Sequence, residues 1–234
     1  MIENPPLIQI KKSSSRKRPS IKQLANFKNV PTGFICYALN GYAALDTNIK
    51  PLRVPGKNVE HIVGPALTVF SGAADVLGMS IALSEIQPGD IVVNGVSGFQ
   101  GTAAVGDRIA GMIKNNGGIG LVTDGPMRDL EGIIETGLSC FCTGLNPNSP
   151  FNSGPAKIGY PTEIGNKTIH SGDIIVADSD GVTVVPFNKI DEVIEKLDRI
   201  TELENAMDEK VKNGLKISQK ALNYINSDQV IYED

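Results

Sequence analysis

Three charged residues combine residue type and spacing in a way that indicates a ligand site. Asp107 is followed by twenty residues and then by the adjacent pair Arg128 and Asp129. Carboxylates are preferred ligands of hard divalent cations such as Mg²⁺ and Mn²⁺, and a guanidinium binds a carboxylate through two parallel hydrogen bonds. Together these groups describe a site for a metal-chelated oxo acid. The alternative is that they are solvent-facing charges at strand-to-helix turns.

A glycine-rich turn precedes Asp107. The stretch "VVNGVSGFQGTAAVGDRIA" (residues 92–110) is typical of a strand whose glycine-rich end opens a helix. Gly95, Gly98 and Gly101 permit tight backbone geometry, and backbone N–H groups at a helix start attract anions. The spacing matches neither a Walker A motif nor a Rossmann GxGxxG motif, so an ordinary strand-to-helix turn is the alternative interpretation.

The elements around these residues alternate between apolar strands and amphipathic helices. Because successive parallel strands end at the same edge of a sheet, we expect the glycine-rich turn, Asp107 and the Arg128–Asp129 pair to converge there. Asp124, at the end of a strand, is predicted to accept backbone N–H groups and shape its loop. Arg128 and Asp129 are predicted to begin a helix, where adjacent side chains point about 100° apart. The pattern predicts strands at 62–70, 91–95, 118–125 and 138–144, and helices at 73–86, 102–116 and 128–136.

The ends of the chain have a different character. Residues 1–20 are polar, contain the basic cluster "KKSSSRKR" and are interpreted as a loose, solvated arm, with nucleic-acid binding by the cluster as the less favoured alternative. Residues 21–210 are assigned to one α/β domain, which includes mostly β residues 167–187 and a C-terminal helix. Apolar residues of that helix recur at intervals of three and four, so its stripe packs either on its own domain or on another subunit. Residues 211–234 are assigned to a C-terminal tail.

Composition excludes several classes of protein. The 234-residue chain is 41% hydrophobic and 21% charged, which is typical of a globular protein, and its net charge of −4 argues against nucleic acid or an anionic membrane as a partner. No apolar run approaches the roughly 18–20 residues of a membrane span, and the N-terminus does not resemble a secretory signal. Three cysteines without a CxxC motif argue against disulfides or a zinc site, and we expect a cytoplasmic location. The two histidines lack partner motifs for a catalytic triad.

Residues 30–210 resemble the family of RraA-like proteins and class II 4-hydroxy-4-methyl-2-oxoglutarate aldolases. The family signature, an aspartate followed by twenty residues and Arg-Asp, matches Asp107, Arg128 and Asp129. The segments "GPALTV", "PGDIVV", "DGPMRDLEGI" and "SGDIIVADSDGVTVVP" follow the family's order. The resemblance implies a single layered α/β/β sandwich, related to the phosphohistidine-domain-like swivelling folds, with a C-terminal helix.

The resemblance also implies a role for each matching residue. Asp129 would ligate Mg²⁺ or Mn²⁺ directly, Asp107 would hold a metal-bound water, and Arg128 would bind the 2-oxo acid beside the metal. The activity implied is retro-aldol cleavage of substrates like 4-hydroxy-4-methyl-2-oxoglutarate, or decarboxylation of oxaloacetate, through a metal-stabilised pyruvate enolate. The substrate carboxylate would be held by the glycine-rich turn, formed by Gly98, Phe99, Gln100 and Gly101.

The sequence departs from the family pattern at two positions. Tyr37 and Asn94 stand where many relatives have an acid, and the loss at Tyr37 puts the aldolase substrate in question more than the metal site. The family's C-terminal helix often carries a glutamate that reaches a neighbour's active site. Glu204, or alternatively Glu202, would be that catalytic residue here, and a solvated helix face is the other interpretation for both.

Two functions of different classes remain open at this point. The resemblance implies a homo-oligomer, either a trimer or a hexamer made of two trimers, with the active site at a subunit boundary. It also includes members that regulate a ribonuclease by binding it, without known chemistry. Those members tend to lose the acid of the Arg-Asp pair, and Asp129 is retained here, which favours the enzyme.

Overall fold

The computed structural model describes residues 7–53 and 59–233. Within these ranges the chain forms a mixed α/β fold. The strands are β1 (Ile8–Ile10), β2 (Lys50–Pro51), β3 (Ile62–Ser71), β4 (Ile91–Gly95), β5 (Gly120–Thr123), β6 (Ser139–Cys142), β7 (Ala156–Ile158), β8 (Thr162–Ile164), β9 (Lys167–Ile169), β10 (Ile174–Asp178) and β11 (Gly181–Val185).

The helices lie mostly between these strands or after the last of them. Short 3₁₀ helices add single turns at Ser13–Ser15, Leu83–Glu85 and Phe187–Lys189. The α-helices are α1 (Ile21–Ala25), α2 (Thr32–Ala38), α3 (Leu77–Ala82), α4 (Asp107–Asn115), α5 (Leu130–Thr136), α6 (Ile190–Lys212) and α7 (Gln219–Ile225). No helix in the described ranges has the length and apolar character needed to cross a bilayer.

The central sheet has the order β1-β7-β3-β4-β5-β6-β2. Its middle strands β3, β4, β5 and β6 are parallel, as expected where helices connect successive strands. β10 pairs antiparallel with the first half of β3 and also with β11, while β8 and β9 form a separate two-stranded sheet. The four parallel strands therefore end at one edge, which the following loops occupy.

The central sheet is packed between a layer of helices and a layer of strands, and two further helices cover the strand layer. One face of the sheet packs on α3, α4 and α5, with Met79 and Ile133 buried between them. The other face packs on the strands β8 to β11, where Phe141 and Ile175 share a core. Helices α2 and α6 cover the outer side of β10 and β11. The α/β/β layering with a C-terminal helix confirms the predicted fold class.

Helices α3 and α4 are shorter than the sequence pattern predicts. The helix predicted at 102–116 begins only at Asp107, because the preceding residues run beside the loop after β5 and pair with it at Val105. The helix predicted at 73–86 is confined to α3 and the following 3₁₀ turn, and Ala74 has a left-handed backbone with φ 59°. Tertiary pairing and local backbone strain override apolar periodicity in both places.

The N-terminal segment lies against the domain, which differs from the loose, solvated arm expected from its composition. β1 pairs in parallel with β7. The guanidinium of Arg16, whose side chain is only 3% exposed, contacts the fully buried carboxylate of Asp90 at 2.8 Å, and Arg18 pairs with the same carboxylate. A buried carboxylate requires partners, so two of the cations interpreted as solvated anchor the segment instead.

The C-terminal helix α6 changes character along its length. Ile190, Val193 and Leu197 are buried against the domain, so this part of the predicted apolar stripe packs within the chain. Further along, Leu203, Met207 and Val211 continue the stripe at intervals of four but are 59%, 43% and 57% exposed. The second half of α6 thus presents an apolar face that the described part of the same chain leaves uncovered.

Candidate active site

The loops that follow β4, β5 and β6 meet at the edge where these parallel strands end. Single β-bridges join Val105 to Met127 and Met127 to Leu145, one from each loop. The backbone N–H of Ala104 also donates to the carbonyl of Pro126 at 2.7 Å. These contacts hold the loops side by side, and they bring the segment that carries Asp107 against the segment that carries Arg128 and Asp129.

Asp107 is the first residue of α4. This helix forms here because Ala110 and Ile113 bury one face on the sheet, while Asp107 in the first turn and Lys114 in the last complement the helix dipole. Oδ1 of Asp107 accepts a hydrogen bond from the backbone N–H of the next residue at 2.7 Å. A Cβ atom at Gly132 would lie 2.6 Å from Oδ2 of Asp107, so a glycine in α5 is what admits the carboxylate.

Asp129 has an unusual backbone and an available carboxylate. Its φ of 61° and ψ of 50° are left-handed, a conformation that non-glycine residues adopt at a cost of order 1 kcal/mol. It occupies the N-cap position of α5, yet its side chain accepts no capping hydrogen bond. Oδ2 instead lies next to Gly106, where an added Cβ would approach it to 2.5 Å. An aspartate that does not cap its own helix is available for a ligand.

The structure corrects the prediction that Arg128 and Asp129 begin a helix. α5 begins at Leu130, and Asp129 turns the chain before it. The side chain of Arg128 therefore lies beside that of Asp129, with Nε at 3.4 Å from Oδ2. Nη1 of Arg128 donates to Oγ of Ser149 at 2.5 Å, and the side chain is 35% exposed. One end of the guanidinium is thus anchored on Ser149, and the side chain remains partly exposed.

Asp107, Arg128 and Asp129 line one cleft of about 540 Å³, a size suited to a small metabolite. Arg108 also lines it, and its side chain makes no hydrogen bond or ion pair within residues 7–53 and 59–233. The cleft therefore combines two carboxylates and two guanidiniums. Its other walls are formed by Val76, Ser80, Val105, Gly106, Ile109, Met112 and Pro150.

The glycine-rich turn does not line this cleft. Gly98 and Gln100 line a separate depression of about 680 Å³, together with Asp124. Gln100 is held in place, since its side-chain amide donates to the carbonyls of Gly98 and Asp124 at 3.0 and 2.8 Å and accepts from Thr143. The ring of Phe99 covers Gly101. The structure brings three of the predicted site residues together and leaves this turn apart from them.

Asp124 helps to hold the glycine-rich turn in its position outside the cleft. Its carboxylate accepts hydrogen bonds from the backbone N–H groups of Val96 and Gly98, both at 2.7 Å. Burial raises the pKa of Asp124, although these hydrogen bonds oppose the rise. The prediction that Asp124 shapes its loop by accepting backbone N–H groups is confirmed. The N–H of Gly98, one of the donors that were considered for a ligand, is thereby occupied by a side chain of the same chain.

The other residues singled out from the sequence lie outside the cleft within one chain. Glu202 and Glu204 are on the second half of α6, the former exposed and the latter half-buried. Tyr37 is 60% exposed on α2. Asn94 is buried in β4, where Oδ1 accepts a hydrogen bond from Oγ of Ser71 at 3.0 Å and Nδ2 has no partner among the described residues.

A divalent cation fits the donor set of the cleft. No group of three or more His, Cys, Asp or Glu side chains suited to a metal occurs in the described part of the chain. Mg²⁺, however, is commonly bound by one or two carboxylates, with water and substrate completing its shell. Asp107 and Asp129 supply hard oxygen ligands of that kind. Gly106 and Gly132 leave the space that both carboxylates occupy.

Sequence reasoning missed the two glycines that shape the cleft. Gly106 immediately precedes Asp107, and Gly132 follows Asp129 by three residues, which is one helical turn. The periodicity of apolar residues does not reveal a glycine that makes room for a functional side chain from another segment. The only available signal was that each glycine lies within three residues of a predicted site residue in the sequence.

Comparison with known proteins identifies the family. The family model described as "RraA-like: Aldolase/RraA" matches residues 32–184. A protein of Halalkalibacterium halodurans named "Putative 4-hydroxy-4-methyl-2-oxoglutarate aldolase" is 35% identical over 173 residues, which cover 74% of this chain and 80% of the relative.

Solved structures agree with that match. An uncharacterized protein from Pseudomonas syringae pv. tomato is similar with a TM-score of 0.77 and 25% identity, covering 89% of this chain and 97% of the other. RraAS2 of Streptomyces coelicolor, described as an unusual member of the RNase ES inhibitor RraA protein family, is similar with a TM-score of 0.71 and 25% identity. That match covers 82% of this chain and 100% of the other. With its α/β/β layering and its Asp107, Arg128 and Asp129 signature, this chain belongs to the RraA-like family.

Proposed function

We propose that this protein is a divalent-metal-dependent lyase that cleaves pyruvate-derived 2-oxo acids. The reaction is retro-aldol cleavage of substrates like 4-hydroxy-4-methyl-2-oxoglutarate, decarboxylation of oxaloacetate, or both. The observation that carries the proposal is the shared cleft of Asp107, Arg128 and Asp129, where two glycines make room for the carboxylates. The name of the Halalkalibacterium halodurans relative supports the aldolase activity.

Asp129 and Asp107 would hold the metal, which is Mg²⁺ or Mn²⁺. Asp129 is the direct ligand in this proposal, because its carboxylate is half-exposed and free of capping hydrogen bonds. Asp107 acts through a water molecule, since one of its oxygens already accepts a backbone N–H. When bound, the cation supplies Lewis acidity at the keto oxygen of the substrate.

Arg128 stabilises the negative charge that develops when the carbon–carbon bond breaks. Its guanidinium is anchored on Ser149, so it is already oriented before the substrate arrives. Both proposed substrates carry a second carboxylate, and Arg108 on the same cleft is the group that would bind it. The first turn of α4 adds a partial positive charge at the same place.

We further propose that the active site is completed in a homo-oligomer, either a trimer or a hexamer. The apolar face of Leu203, Met207 and Val211 supports this assembly, because the described part of the chain leaves it uncovered. Glu204 lies on the same part of α6, so a neighbouring subunit that covers this face would place Glu204, or Glu202, near a second chain. Light scattering that shows a stable monomer at micromolar concentration would contradict the assembly.

The localisation proposed is cytoplasmic, with a small-molecule substrate and neither nucleic acid nor membrane as a partner. The free thiols of Cys36, Cys140 and Cys142 support a reducing compartment. The acidic balance of the chain supports the absence of a nucleic-acid surface.

The proposal is tested by pyruvate release from oxaloacetate and from 4-hydroxy-4-methyl-2-oxoglutarate. Turnover should require Mg²⁺ or Mn²⁺ and disappear when excess chelator is added. Restoring the cation after chelation should restore turnover. Activity that persists in chelator would show that the reaction does not use a metal in this cleft. The absence of turnover with every cation would contradict the proposed lyase activity.

A second candidate function is regulation of a ribonuclease by direct binding. The similarity to RraAS2 of Streptomyces coelicolor, a member of an RNase inhibitor family by its description, favours it. This function predicts metal-independent inhibition of a ribonuclease by the protein, unchanged when Asp129 is replaced by alanine. The retention of both carboxylates in one cleft favours the lyase over this alternative.

A further inference from the structure

A second cleft lies away from the candidate active site. Its volume is about 570 Å³, and it shares no lining residue with the cleft around Asp129. Its walls come from the N-terminal residues 11–17, from the loop between β7 and β8, from β9 and the turn before β10, and from the segment that follows β11. A cleft of this size can accept a small metabolite. Nothing in the proposed lyase reaction uses it.

Two lysines line this cleft without a carboxylate partner. Nζ of Lys11 lies 4.5 Å from the centre of the Tyr160 ring, and Nζ of Lys17 lies 5.5 Å from the centre of the Phe187 ring. Neither ammonium forms an ion pair within residues 7–53 and 59–233. The aromatic rings orient the two side chains but leave their N–H donors available. In a chain with a net charge of −4, this is a local concentration of positive charge.

Arg16 provides an independent indication of a ligand. Its side chain is 3% exposed and lines the same cleft. One terminal nitrogen binds Asp90, but Nε is buried and has no hydrogen-bond partner among the described residues. A buried donor without an acceptor is costly and uncommon, so an acceptor that enters from the cleft would stabilise this group.

The acid that lines this cleft does not compete for the cations. The carboxylate of Asp173 accepts the backbone N–H groups of His170 and Phe187 at 2.8 and 2.9 Å, and its side chain is only 5% exposed. The imidazole of His170, 61% exposed, has Nδ1 at 3.8 Å from the same carboxylate. The charge that the cleft offers to a ligand is therefore positive.

The donors favour phosphate over carboxylate. A planar carboxylate is best matched by the fork of a free guanidinium, and the fork of Arg16 is already used by Asp90 and by backbone carbonyls. Ammonium groups are compact point charges with several donors, which suits the tetrahedral oxygens of a phosphate. Pro161, Pro186 and Phe187 give the cleft an apolar wall, so the ligand should carry an organic group as well.

We propose that this cleft binds a small organic phosphate monoester, whose phosphate contacts Lys11, Lys17 and Nε of Arg16. The apolar part of the ligand packs on the wall that includes Phe187. Residues 11–17 precede the segment that matches the family model, so the three cations of the site come from outside that segment, while most of its other walls come from residues 159–188. The pairing of β1 with β7 and the contacts of Arg16 and Arg18 with Asp90 hold residues 11–17 in place.

Calorimetric titration of the full chain with phenyl phosphate tests this proposal, in chelator so that metal-dependent binding is excluded. We expect one site per chain and weaker binding as the ionic strength rises. The double variant Lys11→Gln/Lys17→Gln should weaken binding at least tenfold, while Lys11→Arg/Lys17→Arg should retain most of it. Ser15→Glu, which adds a carboxylate to the cleft without removing a lysine, should also abolish binding.

The matched control is Lys210→Gln/Lys212→Gln, which removes the same charge from the last turn of α6. Its affinity for phenyl phosphate should be that of the wild type. Circular dichroism of every variant shows whether it is folded.

Equal affinity in Lys11→Gln/Lys17→Gln and wild type would overturn the proposal, as would an equal loss in the control. A loss that occurs in Asp129→Ala but not in Lys11→Gln/Lys17→Gln would place the ligand in the other cleft. The outcome is independent of whether the lyase reaction is found.

Discussion

Two aspartates five residues apart in the loop after β5 have opposite surroundings. Asp124 is half-buried, and both of its carboxylate oxygens accept backbone N–H groups from the glycine-rich turn. Asp129 is 48% exposed on its side chain, does not cap the helix that it precedes, and forms an ion pair with Nε of Arg128 at 3.4 Å. The first carboxylate is used by the fold and the second is available to a ligand.

The difference shows how a site can be separated from a structural feature of similar composition. Both aspartates adjoin glycines, but the glycines act differently. Gly98 supplies an N–H donor to Asp124, whereas Gly106 lacks a side chain that would otherwise displace the carboxylate of Asp129. A buried polar group with all its partners made stabilises the fold. A strained residue whose exposed side chain does not stabilise its own helix is the better candidate for function.

The largest effect expected from this comparison is the loss of activity in Asp129→Ala. Removing the proposed direct ligand should lower metal-dependent pyruvate release by about 10³-fold or more, because charge stabilisation by the cation is worth several kcal/mol. Release of strain at φ 61° is not expected, since alanine tolerates that backbone no better than aspartate. Steady-state decarboxylation of oxaloacetate with Mg²⁺ or Mn²⁺ checks this prediction. Unchanged turnover would show that the reaction does not use Asp129.

A smaller loss is expected for Arg128→Lys. The variant keeps the positive charge but loses the planar fork, which binds Ser149 and is proposed to bind the substrate as well. We expect kcat/KM to fall on the order of 10²-fold, by analogy with the removal of one oxyanion donor. The matched variant is Arg108→Lys, which changes a side chain of the same cleft that has no hydrogen bond to the described part of the chain, and it should mainly raise KM. Near-native kcat/KM in Arg128→Lys would contradict the role proposed for its guanidinium.

Gly106→Ala should affect the cleft more than the fold. The backbone at Gly106 is extended, with φ −125° and ψ −168°, and accepts alanine, but the new Cβ would lie 2.5 Å from Oδ2 of Asp129. The flexible carboxylate can move away, so the free energy of unfolding should change by less than about 1 kcal/mol. Its position for the metal is lost, and activity at limiting Mn²⁺ should fall about tenfold.

The control for that variant is Gly111→Ala, four residues into α4. There the nearest atom to a new Cβ is Cγ2 of Thr136 at 3.7 Å, an ordinary contact. Alanine inside a helix should be neutral or stabilising by about 0.5–1 kcal/mol, with activity unchanged. A metal titration followed by activity distinguishes the two variants. If both lose activity equally, the contact between Gly106 and Asp129 is not the cause.

The sequence predicted more of the fold than of the site. Strands β3 to β6 and their helices followed from apolar periodicity, because burial in a layered core imposes that pattern. The left-handed backbone of Asp129 and the opening of space at Gly106 depend on tertiary contacts between two loops, which no local pattern records. The same holds for Arg16, whose basic neighbourhood suggested solvent while its guanidinium is bound to buried Asp90.

The smallest catalytic effect is expected for Asp124→Asn, which tests the other half of the comparison. Asparagine offers one carbonyl oxygen where two carboxylate oxygens now accept N–H groups, so either Val96 or Gly98 loses its acceptor. Loss of the acceptor for buried Val96 should lower the free energy of unfolding by about 1–3 kcal/mol, and loss of the acceptor for exposed Gly98 should lower it less, because water can replace the acceptor there. Urea denaturation checks this against Asp180→Asn, an exposed aspartate whose replacement should have almost no effect.

Because Asp124 lies outside the cleft of Asp129, kcat/KM of the folded variant should stay within about threefold of the wild type. A loss of activity comparable to that of Asp129→Ala, with unfolding unchanged, would reverse the roles assigned to the two aspartates.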